Sequence, residues 1–273
     1  MITNTMSVSK GLGPQERLLL TSLAGKGKRI FRIDEALPYW TTKQQTFNAL
    51  GRLVKKGWLQ RLERGLYMIV PLEAGPAGQW TDDPLVIATQ LNSDGAIAYW
   101  SALHYWNLTE QVPRTVFIQS LRQRNPSQKT ILGVRYKFVW IKKDRFFGIV
   151  SRSSEGLKIN ITDREKSLVD ACDRPDLCGG ILQVAQALQA GEPIDWDRMD
   201  SYLKKMDSGA IYKRLGYLIE ALNISIPNQE DRLRNWRQSM SQGIALLDLG
   251  GLHKGSVKTK WRVRVNVPAW NET

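Results

Sequence analysis

Along residues 41–71 the spacing of apolar positions changes from helical to alternating. Phe47, Leu50, Leu53 and Val54 recur at intervals of three and four, which predicts a helix whose core face they form. Either Thr41 or Thr42 can cap its start, with a glutamine three residues on to close a capping box. Lys55 and Lys56 fall in the last turn, where the helix dipole favours cations, and Gly57 supplies a left-handed stop. Two short apolar runs follow, 58–62 and 66–70, joined by Glu63-Arg64-Gly65. They predict a hairpin with a three-residue loop, glycine at its positive-φ position and an arginine at its tip. Upstream, Pro14 can open a helix carrying Leu18, Leu19 and Leu23 and ending at Gly25-Lys26-Gly27, and a shorter helix from Asp34 to Leu37 is stopped by Pro38.

Downstream, the Gly/Pro-rich segment 73–79 reads as a linker. Asp82-Asp83-Pro84 opens a helix to about Leu91, and a second covers Ile97 to Trp106. Strands are predicted for Thr115–Ser120, Val134–Ile141, Phe146–Val150 and Lys158–Ile161, with a polar loop from Leu121 to Thr130. In the second strand Val134, Tyr136, Phe138 and Trp140 share a face. Thr162-Asp163-Arg164-Glu165 reads as a capping box for a helix to Ala171. Helices over 181–189, 195–205, 210–222 and 230–240 follow, then a strand from Trp261 to Val267 placed to close the sheet. There is no internal repeat. The expected fold is α+β: a winged helix-turn-helix over residues 1–75, then a larger mixed domain over 80–273 with a small sheet and several helices.

Charge gives the first part a partner. Through residue 72 there are twelve basic side chains and four acidic ones, an excess of +8 within a chain of formal charge +13. A sequence pI near 9.8 with that asymmetry points to a polyanion. In a winged helix-turn-helix the third helix enters the DNA major groove. Thr42, Lys43, Gln44, Gln45, Asn48 and Arg52 then offer groups suited to base edges and phosphates, with Arg61 and Arg64 of the wing at the flanking backbone or minor groove. The alternative is a winged helix used for protein contacts, its basic face merely solvated.

Catalytic chemistry is sparse. The chain has two cysteines, Cys172 and Cys178, and two histidines, His104 and His253, too few for a zinc site built from neighbouring ligands. The thiols read as reduced packing residues and His104 as a hydrogen-bonded, half-buried helix residue. No phosphate-cradling glycine motif is present, so neither a metal nor a nucleotide cofactor is expected, and the protein is not expected to be an enzyme. Asp163-Arg164-Glu165-Lys166 has nuclease-like composition, but the capping box already accounts for Glu165. No apolar run reaches the length of a membrane span and no signal peptide is seen, so a soluble, cytoplasmic protein is expected. Arg122, Arg124 and Lys129 of the polar loop, with Arg164, form either a surface for nucleic acid or an acidic partner, or a set of solvated charges.

Specific wording adds a family. The segment 99–111, Tyr-Trp-Ser-Ala-Leu-His-Tyr-Trp-Asn-Leu-Thr-Glu-Gln, resembles a motif of the AbiE-type antitoxins, the regulatory half of bacterial abortive-infection toxin–antitoxin pairs. Similar to the same family, and in the same order, are Leu62–Tyr67, Asp163–Asp170 with Arg174–Gly180, and Lys213–Leu222. Asn107 stands where a glycine is expected. The resemblance implies an N-terminal winged helix that represses the operon by binding inverted repeats in its own promoter. It also implies a C-terminal domain that counteracts a nucleotidyltransferase-like toxin, a type IV arrangement that does not require a stable complex. Two readings stand beside it: a ligand-responsive winged-helix transcription factor with a sensor domain, and a nucleic-acid-processing enzyme.

Overall fold

The computed structural model describes residues 11–71, 83–154, 156–190 and 193–268. The chain divides into two compact units, Met1–Asp83 and Pro84–Thr273. The expected linker over 73–79 lies outside the described residues.

In the first unit helix α1 (Pro14–Gly25) begins with proline at its first turn, where the missing N–H is no loss. The Glu16 carboxylate accepts from the backbone N–H of Gly13 at 3.1 Å. The helix stops where Gly27 turns left-handed at φ +67 and the Lys28 N–H closes onto Leu23 O. Strand β1 (Ile30–Arg32) leads into α2 (Ile33–Ala36), a one-turn 3₁₀ segment (Leu37–Tyr39) and α3 (Lys43–Lys55). The short helix ends at Ala36, one residue earlier than expected and ahead of Pro38. The fixed φ of Pro38 suits the 3₁₀ turn that follows. Strands β2 (Leu59–Glu63) and β3 (Leu66–Ile69) form the hairpin, and β1 pairs with β3 to give an antiparallel sheet in the order β1-β3-β2. The hairpin turn has two residues, Arg64 and Gly65, instead of three, because Glu63 pairs with Leu66 through a register shift after Arg61. Gly65 takes the positive φ, +77. Leu19, Leu23, Phe31, Leu50, Leu53 and Leu59 form the core of this unit.

In the second unit α4 (Pro84–Leu91) precedes a six-stranded mixed sheet built from β4 (Ala96–Ile97), β5 (Thr115–Ser120), β6 (Gln128–Ile131), β7 (Val134–Trp140), β8 (Ile149–Ser154) and β9 (Leu157–Thr162). Their order is β6-β7-β5-β4-β9-β8, with β5–β7 and β4–β9 parallel. Two expectations change here. The predicted loop 121–130 contains the start of edge strand β6, and Ile97 lies in β4, so that α5 is Tyr99–Tyr105. Helices α6 (Arg164–Asp173), α7 (Ile181–Gln189), α8 (Trp196–Met206), α9 (Gly209–Ala221) and α10 (Gln229–Gln238) supply most of the larger core, together with Tyr99 and Phe117. The C-terminal strand does not close the main sheet. As β12 (Val263–Val265) it pairs with β10 (Ala245–Leu246) and β11 (Ser256–Lys258) in a sheet of its own. Trp261 packs that segment onto α9, where a Cβ on Gly216 would sit 2.2 Å from the indole.

Candidate nucleic-acid interface

Helix α3 is capped by Thr42: its hydroxyl accepts from the Gln45 N–H and the Gln45 Oε1 accepts from the Thr42 N–H, both at 3.2 Å. The start of the helix is thereby fixed, and the acceptor oxygens of Thr42 and Gln45 are committed to it. At the other end Gly57 is left-handed and the Trp58 N–H closes onto Leu53 O at 3.0 Å.

The buried stripe of α3 is Thr46, Ala49, Leu50 and Leu53. Phe47, expected in the core, is 39 % exposed, and Val54 is half-buried. Hydrophobicity alone misleads there, because two small residues, Thr46 and Ala49, fill the facing space. At 3.6 residues per turn the side opposite this stripe carries Gln44, Asn48, Gly51 and Lys55, with Gln45 and Arg52 on one flank and Lys43 and Phe47 on the other. All eight are exposed. The Gln44 amide donates to Asn48 Oδ1 at 3.1 Å, aligning two amides along one line of the helix.

Arg52 departs from the simple picture of an outward donor. Its Nε lies 3.3 Å from Glu16 on α1, and Lys56 Nζ lies 2.7 Å from the other carboxylate oxygen. Burial would raise the Glu16 carboxyl, but hydrogen bonds from Lys56, Gly13 and Arg52 outweigh it and hold it below the ordinary carboxylate range. Glu16 thus staples α1 to the end of α3. Arg52, Asn48 and Gln45 also line an open concavity of about 610 Å³ with Gln15, Pro38, Tyr39, Trp40 and Thr41. The aromatic pair Tyr39 and Trp40, ring centroids 6.3 Å apart, is not singled out by sequence, since it follows the 3₁₀ turn and not a periodic run. In the hairpin Arg61 and Arg64 are exposed, and Arg61 Nε donates to Glu63 O at 3.4 Å.

The four cations expected to share a surface in the second unit are divided by its topology. Arg122 pairs with Asp94 at 3.2 Å, the Arg124 guanidinium lies 4.2 Å from the Phe138 ring centroid, and Lys129 sits on edge strand β6. Arg164 opens α6 after β9, and three strands, β7, β5 and β4, separate β9 from β6, roughly 19 Å at the usual interstrand spacing. It donates to Pro193 O at 2.8 Å and lies over Trp106.

The capping box expected at 162–165 is also rearranged. Asp163 is the cap, accepting from the Lys166 N–H at 2.8 Å and from Tyr202 OH at 2.6 Å. Thr162 ends β9, and its hydroxyl meets Ser167 Oγ at 2.8 Å. Glu165 instead accepts from the Asp195 N–H at 3.0 Å and faces Arg198. Lys166 turns inward to pair with Asp170, which also accepts from Gln119 Nε2 at 2.7 Å. Of these partners only Lys166 and Asp170 have a spacing the sequence could show, four residues along one helix; Tyr202, Asp195 and Gln119 lie 30 or more residues away. His104 is half-buried on α5 as expected, but its Nδ1 is buried without the expected hydrogen-bond partner. Both cysteines are free and buried, and burial pushes the Cys172 thiol up to about 12, which keeps it protonated and inert. Among the described residues no three His, Cys, Asp or Glu side chains converge to hold a metal ion, and no helix is long and apolar enough to cross a membrane.

No family model matches the sequence, and no curated protein matches it. The fold does have a solved counterpart. The crystal structure of the Rv2827c protein from Mycobacterium tuberculosis superposes with a TM-score of 0.66 at 12 % identity, covering 96 % of this chain and 94 % of that one. At that identity the likeness is one of fold, a mixed α+β architecture.

Proposed function

We propose that the protein is a transcriptional repressor whose first unit is a winged helix-turn-helix, with α3 as recognition helix and the β2–β3 hairpin as wing. We propose further that it is the antitoxin of an AbiE-type abortive-infection pair. The observation that carries the first part is the outward face of α3: Gln44, Asn48 and Lys55 stand opposite the buried stripe with Lys43 exposed on its flank, followed in the chain by a hairpin bearing Arg61 and Arg64. Amide side chains suit adenine edges, and the cations suit phosphates. The expected target is an inverted repeat in its own promoter, read in the cytoplasm. The antitoxin role rests on the four ordered segments that resemble the family, and the second unit is the part assigned to counteracting a nucleotidyltransferase-like toxin, with no stable complex required.

One experiment with two readouts tests this. The full chain and a Lys43→Ala/Arg61→Ala/Arg64→Ala variant are titrated onto the promoter duplex at several salt concentrations, and both are co-expressed with the adjacent gene from an unrelated promoter. Removing one cation that touches a phosphate should lower the salt slope by about one. Growth rescue should survive in the variant. Undiminished DNA binding by the variant refutes the interface, and failure of the full chain to rescue refutes the antitoxin assignment.

A further inference from the structure

Two features of α3 have no explanation inside the protein. Phe47 is 39 % exposed although the stripe beside it, Thr46, Ala49, Leu50 and Leu53, is completely buried. One turn further on, Gly51 stands inside the unbroken helix at a position where an added Cβ would meet nothing within 4 Å and where the backbone is not left-handed. Glycine in a helix interior is unfavourable relative to alanine, and the fold gains neither space nor conformation from it here. What glycine does provide is a bare stretch of backbone on the outward side. Phe47 and Gly51 are neighbours at i and i+4, so the ring borders the bare stretch. Gln44 and Asn48 run alongside, joined by their 3.1 Å hydrogen bond. Lys43 and Lys55 stand at the two ends of the same surface.

We propose that Phe47 and Gly51 make α3 specific for a thymine methyl group in the major groove: the missing side chain at 51 lets the helix sit close, and the Phe47 ring packs on the methyl. This rests on the reading of α3 as a recognition helix. Double-stranded DNA is the occupant chosen because the apolar ring is framed by cations and by two amides. Asn and Gln read adenine through N6 and N7, and the thymine paired with that adenine, or with its neighbour, projects its C5-methyl into the same groove, where aromatic contact recognises it. A protein partner would give no reason for two amides and flanking lysines around a single ring.

The test uses the full chain and a promoter duplex located by footprinting. Each thymine in the protected region is replaced in turn by uracil, which pairs identically but lacks the methyl group. Wild type should lose about ten-fold in affinity at one or two positions, within the range of a good base contact. Phe47→Ala should bind the thymine duplex about ten-fold more weakly and be indifferent to uracil at those positions. Gly51→Ala should raise the melting temperature yet weaken binding at least five-fold. The proposal is overturned if Phe47→Ala keeps the uracil penalty, if no uracil position matters to wild type, if Gly51→Ala binds unchanged, or if Phe47→Ala alters only self-association. These outcomes are separable from failure of the underlying reading. If the Lys43/Arg61/Arg64 triple variant binds undiminished, α3 is not in the groove at all, whereas if it loses binding and Phe47→Ala does not, only the methyl contact is wrong.

Discussion

Replacing Lys166 by methionine isolates one buried charge in the second unit. Lys166 and Asp170 lie one helical turn apart on α6 and pair with side-chain exposures of 0 % and 3 %. Gln119 Nε2 reaches the other carboxylate oxygen of Asp170, and the Phe147 ring lies 4.7 Å from the ammonium. Methionine fills nearly the same volume, so the change removes charge more than packing. Stripping one partner from a buried pair costs about 3 to 5 kcal/mol, because the remaining ion has no water to replace it. In a unit of this size each kcal/mol moves the melting temperature by about 2 to 4 °C, so the expected drop at pH 7 is about 6 to 20 °C. The pH dependence follows from the sign. Burial already pushes the Asp170 carboxyl up while Lys166 and Gln119 hold it down, and without Lys166 it rises further. A carboxyl raised above its unfolded value, about 3.9, gives its full stability below that pH and loses it as pH rises through the folded value. The deficit of Lys166→Met should therefore shrink on going from pH 7 to pH 4. Lys166→Met/Asp170→Asn should recover more than half of the deficit at pH 7, since the amide oxygen introduced at position 170 can still accept from Gln119. Scanning calorimetry of full-length wild type and the two variants decides it. A drop below about 2 °C for the single variant, or a double variant worse than the single, would refute the reasoning.

Leu50 is fully buried at the centre of the first unit, so Leu50→Ala should cost about 2 to 5 kcal/mol by opening a cavity, read from urea unfolding. Glu16, held below its unfolded value of about 4.3, gives the first unit stability that is complete above that pH and lost as pH falls through the folded value. Glu16→Gln should accordingly be less stable than wild type at pH 7 and converge with it near pH 3. A constant gap across that range would show that the staple works by shape and not by charge.

Elements with strong periodicity are legible in the sequence. Thr115–Ser120 and Ile181–Gln189 stand with both ends where the pattern puts them. What is not legible has physical causes. Edge strand β6 follows no buried alternation, since only Ile131 of its four residues is buried, so its polar sequence reads as loop. Periodicity turns Phe47 inward because it weighs size and apolarity, whereas the packing prefers Thr46 and Ala49. The donors along α3 are legible, but the ion pair that draws Arg52 toward Glu16 spans 36 residues. No local pattern encodes so distant a partner.

Local and distant partners together account for what the family-like segments of the second unit do. Asp163 caps α6, Lys166 and Asp170 pair inside it, and Arg174 holds Asp176 through two hydrogen bonds of 2.9 and 2.6 Å. A Cβ on Gly179 would lie 2.9 Å from the Trp100 ring. Lys213 Nζ donates to Ser241 Oγ and to Gly243 O, and the Arg214 guanidinium donates to Cys172 O and Leu246 O. Burial lowers both cations, which is tolerable because each buried N–H has an acceptor. The three of these segments that lie in the second unit are therefore chiefly its joints. The side chains proposed to touch DNA lie outside all four family-like segments except Arg64, which the Leu62–Tyr67 segment places at the hairpin turn. Substitutions inside the segments should consequently weaken growth rescue only as far as they lower the melting temperature. A variant of Lys213 or Asp163 that folds as stably as wild type yet fails to rescue would instead place the neutralising chemistry at the joints themselves.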